Sequence, residues 1–196
     1  LVPPLLWAGN AITGRLVHDL VPPMTFNFLR WLLTLCLLMP IAHQVLARQS
    51  PLWTHWKRYV VLGLLGVGLY NSLMYLALQT STPINVTLVA SSTPVFMLVI
   101  GALFFGQRVR GRQVVGGMLS ISGVLLVLGR GDLQSLLNVQ WVAGDVLILL
   151  ANFAWAWYSW LLTQGHKDPA EVRQHWARFI VAQIVFGLGW AGAFSA

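Results

Sequence analysis

Long apolar runs, separated by short polar or turn-rich pieces, dominate the chain. They predict helices over residues 1–17, 25–45, 59–80, 83–105, 114–128, 141–163 and 179–196. A helix crossing a bilayer needs ~20 mostly apolar residues, and these runs approach or reach that length. The connections carry turn signals: Pro22-Pro23, Ser50-Pro51, Thr82-Pro83, Gly129 with Gly131, and Asp168-Pro169. Backbone groups cannot reach water inside lipid, so such runs are helical, and a β-barrel would show short alternating segments instead. The first and last runs read as incomplete. Leu1 opens an apolar run with no basic region before it, so the start does not read as a signal peptide, and with Ala196 also inside an apolar run we read the chain as a fragment truncated at both ends.

Composition sharpens this picture. Of 196 residues, 57% are hydrophobic and 9% charged, against roughly 25% charged in a soluble domain. A soluble globular protein is excluded, and the spans leave no length for a soluble catalytic domain. The net charge is +7, but the twelve Lys and Arg lie scattered between apolar runs. They make no basic face, so nucleic acid is not an expected partner. They do alternate between connections. Arg48, Lys57 and Arg58 follow the second run, Arg108, Arg110 and Arg112 the fourth, and Lys167, Arg173 and Arg178 the sixth. The intervening connections hold Arg15 near Asp19, then nothing basic, then Arg130 near Asp132. Basic connections stay cytoplasmic, so the first span runs outward, and the expected location is the cell (inner) membrane, multi-pass. Cys36 is the sole cysteine, which excludes an internal disulfide or a cysteine metal site.

The chain also repeats. Trp7-Ala8 precedes Arg30 by the same 23 residues as Trp155-Ala156 precedes Arg178, an offset of 148 throughout. Each arginine has aromatic neighbours at matching places, Phe28 and Trp31 in one copy, Trp176 and Phe179 in the other. An odd number of spans separates the copies, so the second enters the membrane from the opposite side. Inverted repeats characterise secondary transporters, whose halves rock about a site near the bilayer midplane. The expected division is residues 1–132 for a first repeat of five spans and 141–196 for the start of a second.

Several motifs, in order, resemble the EamA-type transporters of the drug/metabolite transporter superfamily. They are Trp7-Ala8-Gly9-Asn10, Arg30 just inside the second span, Tyr75-Leu76-Ala77-Leu78, Pro94-Val95-Phe96 and Gly144-Asp145. The resemblance covers essentially the whole chain. It implies an all-α polytopic bundle of ten helices in two inverted halves of five, of which about seven spans are present here. It also implies movement of small metabolites, amino acids among them. One departure is Gly106-Gln107, followed by Arg108, where the family usually has Gly-Glu; any ion pairing by that Glu is absent.

Candidate site residues follow from polar groups within apolar runs, where they are costly and face other helices or a wet cavity. Asn71, Tyr75 and Gln79 share one face of the third span. They form either a cavity wall or interhelical hydrogen bonds. Thr87, Ser91, Ser92 and Thr93 precede Pro94, which leaves the carbonyl of Ala90 without its helical partner and predicts a kink. The sixth span carries the stripe Asp145, Asn152, Ser159 and Thr163 beside Trp155 and Tyr158. Asn10, Thr13 and Gly14, with Trp7 a turn earlier, form the matching face of the first span. For each Trp, bulky packing is the plainer alternative.

Asp145 is open to ion coupling, but a carboxylate in a first turn is also favoured by the helix dipole. Arg15 and Arg30 could attract an anionic group, although snorkelling is the commoner reason for such arginines. Gly116, Ser120 and Gly123 read as close-packing positions.

Enzyme motifs are missing, and His18, His43, His55, His166 and His175 all fall in or near connections. A hydrolase using Ser91 or Ser122 would lack a basic partner at depth.

We therefore expect a transporter, not an enzyme, without cofactor or metal. It would move a small polar or amphipathic metabolite, amino-acid efflux first, by alternating access. The cavity residues would be Trp7, Asn10, Asn71, Tyr75, Ser91, Trp155 and Tyr158. Its partners are the solute and the lipid bilayer, with a homodimer left open. The alternatives are a non-transporting membrane subunit and a lipid-linked-sugar flippase.

Overall fold

The computed structural model describes residues 2–17, 19–128 and 142–195. Expectations resting on His18, on Gly129, Arg130, Gly131 and Asp132, on Trp141 as the start of the sixth span and on the Thr87 side chain lie outside what is described. The regular elements described are all helical: α1 (Val2–Leu16), α2 (Pro23–Ala42), α3 (Trp56–Gly63), α4 (Tyr70–Thr80), α5 (Pro83–Ala90), α6 (Thr93–Phe104), α7 (Gly111–Leu128), α8 (Ala143–Thr163), the single turn α9 (Ala170–Arg173) and α10 (Trp176–Ser195).

Local chemistry sets the helix ends. Pro23 opens α2 at the position where a missing N–H costs nothing. The carboxylate of Asp145 accepts from the N–H of Val142 at 3.2 Å and so caps the start of α8. After α6, Gly106 takes φ 63°, the left-handed conformation glycine adopts without steric cost. It lets the N–H of Gln107 return to the carbonyl of Gly101 at 3.0 Å.

Two of the expected spans are not regular helices. The third passes from α3 to α4 through a π-helical segment, Leu64–Leu69. The fourth is broken at Ser91-Ser92 into α5 and α6. Four stretches, Pro23–Leu46, Trp53–Thr80, Ala143–Thr163 and Trp176–Ser195, are long and apolar enough to cross a membrane, and Leu88–Phe104 and Gly111–Leu126 are shorter apolar helices.

Helix α8 packs on α4, α5 and α6, while α10 packs on α2, α3 and the π segment. The α3–α10 contact is backbone to backbone. A Cβ on Gly63 would lie 2.6 Å from both the carbonyl oxygen of Gln183 and the nitrogen of Gly187. Three apolar clusters fill the interior. One gathers Tyr59, Leu62, Val172 and Val181, a second Tyr75, Leu78, Val86 and Ile148, and a third Val67, Ile184 and Leu188. Large apolar side chains such as Leu33, Leu37, Leu103, Met118 and Leu119 point outward, as they do where lipid replaces water.

The polar contacts sort the connections into two ends. At one, Asp168 bridges Arg58 (2.5 Å) and Arg173 (2.9 Å), and Arg178 donates to Gln44. At the other, Arg15 donates to the carbonyls of Leu78 and Gln79, the hydroxyl of Ser81 donates to Asp145 at 3.0 Å, and the N–H of Gly144 donates to Thr80 at 2.9 Å.

A candidate solute cavity

Between these ends the helices leave a cavity of about 1200 Å³, walled by α1, α2, the π segment with α4, α5 with α6, α8 and α10. Much of its surface is aromatic. Tyr70 and Trp155 lie 4.8 Å apart, and Trp155 and Tyr158 5.0 Å apart, centroid to centroid.

Two irregular segments face it. A π turn releases backbone carbonyls from the α-helical ladder, and side-chain amides occupy them here. Asn71 donates to the carbonyl of Gly66 at 3.1 Å. Asn27, fully buried on α2, donates to that of Val67 at 3.0 Å and to the hydroxyl of Ser72 at 2.9 Å. The bare Gly66 allows the ring of Tyr158 to lie on the π segment, since a Cβ there would meet that ring at 2.8 Å. Tyr158 in turn donates to Gln183 at 2.7 Å.

The second is the break before Pro94. Ser91, Ser92 and Thr93 turn their hydroxyls back to the carbonyls of Leu88 (2.5 Å), Val89 (2.6 Å) and Ala90 (2.6 Å). Asn152 adds a donor to Val89 at 2.9 Å. The carbonyl of Ala90 is thus satisfied by Thr93, although the proline removes its helical partner.

Of the residues expected at the site, Trp7, Asn10, Asn71, Ser91, Pro94, Trp155 and Tyr158 line this cavity together. Tyr75 does not. It is 2% exposed and stands one layer behind, donating from its hydroxyl to Asn10 Oδ1 at 2.6 Å. Gln79 lies exposed, away from the cavity wall.

The polar stripe of α8 also faces elsewhere. Asn152 turns to α5, and Ser159 and Thr163 bond the carbonyls of Trp155 (2.8 Å) and Trp160 (2.7 Å) on their own helix. Asp145, buried at the helix start, accepts from Val142 and Ser81 and lines no part of the cavity.

Arg30 corrects the sequence reading most. It does not snorkel. The residue belongs to the cavity wall, and its guanidinium is packed between the rings of Trp31 and Tyr75, at 4.9 and 5.6 Å from their centroids. Arg178, its counterpart in the repeat, instead donates to Gln44.

Gln183, Thr34 and Trp31 also line the cavity and were missed. Gln183 was legible as the one amide in the last apolar run, whereas Thr34 gave no signal beyond its polarity. Among the described residues no group of three His, Cys, Asp or Glu could hold a metal ion.

The sequence profile of the EamA-like transporter family matches residues 1–129. The chain belongs to that family. It is 31% identical over 155 residues to an uncharacterized transporter of Archaeoglobus fulgidus, covering 79% of this chain and 53% of that one. It is 29% identical over 160 residues to a protein of Escherichia coli named "Probable amino-acid metabolite efflux pump", covering 78% and 48%. Against the aromatic amino acid exporter YddG of Ancylobacter novellus it is 24% identical over 173 residues, covering 86% and 58%. The chain spans about half the length of the curated relatives it matches. No solved structure matches it.

Family membership and the long apolar helices together make the chain part of a multi-pass membrane protein of the EamA-like transporter family.

Proposed function

We propose that this protein exports small amphipathic metabolites, amino acids or compounds like them, by alternating access. The observation that carries the reading is the cavity itself: about 1200 Å³ between broken helices, with aromatic walls and a few polar groups. Such a site suits a solute with a planar apolar body and a polar head. Helices interrupted at the site are where transporters meet their substrates. The names of the relatives from Escherichia coli and Ancylobacter novellus point to the same solute class.

In this reading residues 1–132 form one repeat and 141–196 open a second, inverted one. Trp7, Asn10, Asn71, Ser91, Trp155 and Tyr158 touch the solute. Tyr75 acts through Asn10, and Pro94 holds the break open. Asp145 serves as a helix cap rather than a coupling group, a reading supported by its bonds from Val142 and Ser81 and by its place outside the cavity lining. The protein resides in the cell (inner) membrane, with the Arg58–Asp168 end cytoplasmic.

The test is solute counterflow in proteoliposomes carrying the protein from its complete reading frame. Accumulation of a labelled aromatic or branched amino acid, abolished by Trp155→Ala, is expected. Equal distribution of a broad metabolite panel with correctly inserted protein would refute the proposal.

A further inference from the structure

Hydrogen-bonding capacity that the fold leaves unspent marks one corner of the cavity. Nε and Nη2 of Arg30 and Nε1 of Trp31 are buried and have no hydrogen-bond partner among the described residues. Both residues belong to the cavity wall. The other polar groups of that wall are engaged differently. Asn71 and Ser91 bond to backbone carbonyls, and Gln183 accepts from Tyr158 while donating to the carbonyl of Phe179 at 3.1 Å. Arg30 makes one long bond, from Nη1 to Asn10 Oδ1 at 3.4 Å. No Asp or Glu among the described residues lines the cavity. The buried polar atoms of that wall left without a partner are all donors, and the guanidinium among them carries a full charge that nothing acidic answers.

Leaving a charge buried and unpaired is costly, and the flanking rings return only part of that cost. The chemistry selects its acceptor. Nε and Nη2 form one edge of the guanidinium, two parallel N–H groups at the spacing of a carboxylate's two oxygens. The indole N–H of Trp31 supplies a third donor from the adjacent residue. Asn10 has its carbonyl oxygen turned to Tyr75 and Arg30, so the amide it presents is again a donor.

We propose that Arg30 and Trp31 form a carboxylate subsite, and that the solute is a small carboxylate whose aromatic or otherwise apolar body lies along Tyr70, Trp155 and Tyr158. This deepens the transport reading and rests on the same cavity being the solute site. The free nitrogens lie just behind the cavity surface, so the carboxylate reaches them through a rotamer change, the common adjustment when ligands bind.

The experiment uses three probes with one body: hydrocinnamate, its neutral amide hydrocinnamamide, and the cation phenylpropylamine. Their affinities for the purified protein are measured by calorimetry. Hydrocinnamate binds at least about tenfold more tightly than the amide, the scale of a hydrogen-bonded charge, and the amine binds least. Arg30→Gln abolishes the preference, Arg30→Lys restores part of it, and Trp31→Phe, which keeps a ring and removes the donor, weakens hydrocinnamate severalfold. The wild-type comparison stands whether or not a variant folds. Equal affinity for acid and amide, no binding of the acid, or a preference that survives Arg30→Gln would overturn the subsite. Acetate binding as tightly as hydrocinnamate would overturn the apolar-body half of the proposal. Solute movement in proteoliposomes without any carboxylate preference would remove the subsite and leave transport standing. Carboxylate binding without movement of any solute would do the reverse.

Discussion

Asn71 and Asn152 stand among the candidate polar groups of the sequence, yet each, like Asn27, spends its amide on a backbone carbonyl at a helix irregularity. In a membrane such a carbonyl has no water to turn to, so the side chain that covers it is structural whether or not it also touches a ligand. Asn152→Leu removes one donor from the Val89 carbonyl, which keeps the N–H (3.0 Å) and the hydroxyl (2.6 Å) of Ser92. It should lower stability by about 0.5–1.5 kcal/mol, read as a lower melting temperature in detergent. A larger loss is expected from Gly63→Val, because the new side chain meets backbone of α10, which cannot turn aside. Overpacking of this kind costs about 1–3 kcal/mol or more, whereas Gly116→Val, whose Cβ meets nothing within 4 Å, should leave the melting temperature nearly unchanged. The residue types at the site were legible; the direction in which each side chain turns was not. Periodicity gives a helix face, but Tyr75 and Asn71 share a face and still occupy different layers, because what lies opposite is set by α1 and α10. Arg30 was misjudged for the same reason. From position alone it could reach the interface, and only the rings of Trp31 and Tyr75 on either side show that it does not.

The break in the fourth span was readable from Pro94 and the hydroxyl residues before it, since a proline removes a donor and Ser or Thr can replace it. The π segment was not. It lies where Tyr158 packs on Gly66 and Val67 on Gly187, contacts between segments far apart in the chain that periodicity within one run does not report. The connection between α8 and α10 is likewise held from a distance. Asp168, whose side chain is wholly buried, bridges Arg58 and Arg173. Arg58 also covers the terminal carbonyl of Leu161 on α8 at 2.8 Å, and Arg173 that of Leu162 at 3.1 Å. Removing the acid strands two cations beside a helix end. With Arg58 only 13% exposed, Asp168→Ala should cost about 3 kcal/mol or more. The half-open Arg173 side of the cluster adds little. The change should appear as faster amide hydrogen exchange across residues 164–176, with the exchange of α4 unaltered; uniform protection across both would contradict the anchoring role.

On the scale of the whole molecule, the alternating basic connections and the two sets of end contacts agree. The Arg58–Asp168–Arg173 cluster and the Arg178–Gln44 bond join the connections after the second and sixth runs, while Arg15, Ser81 and Asp145 gather at the other end. Tags placed at residues 106–110 and 164–167 should therefore report from one face of the membrane, and a tag at residues 81–82 from the other. The architecture was legible because bilayer thickness and loop charge act on each span alone, whereas the cavity depends on how spans meet. The claim at the centre is that this cavity is wet and carries solute within the membrane. Single cysteines introduced after replacement of Cys36, at cavity positions Thr34 and Ser91 and at outward-facing Leu37 and Leu103, decide it when exposed to a charged, membrane-impermeant thiol reagent. Thr34→Cys and Ser91→Cys should react and be protected by the transported solute, while Leu37→Cys and Leu103→Cys stay unreacted. Cavity cysteines that never react, or that react without protection by any solute the protein moves, would contradict the account.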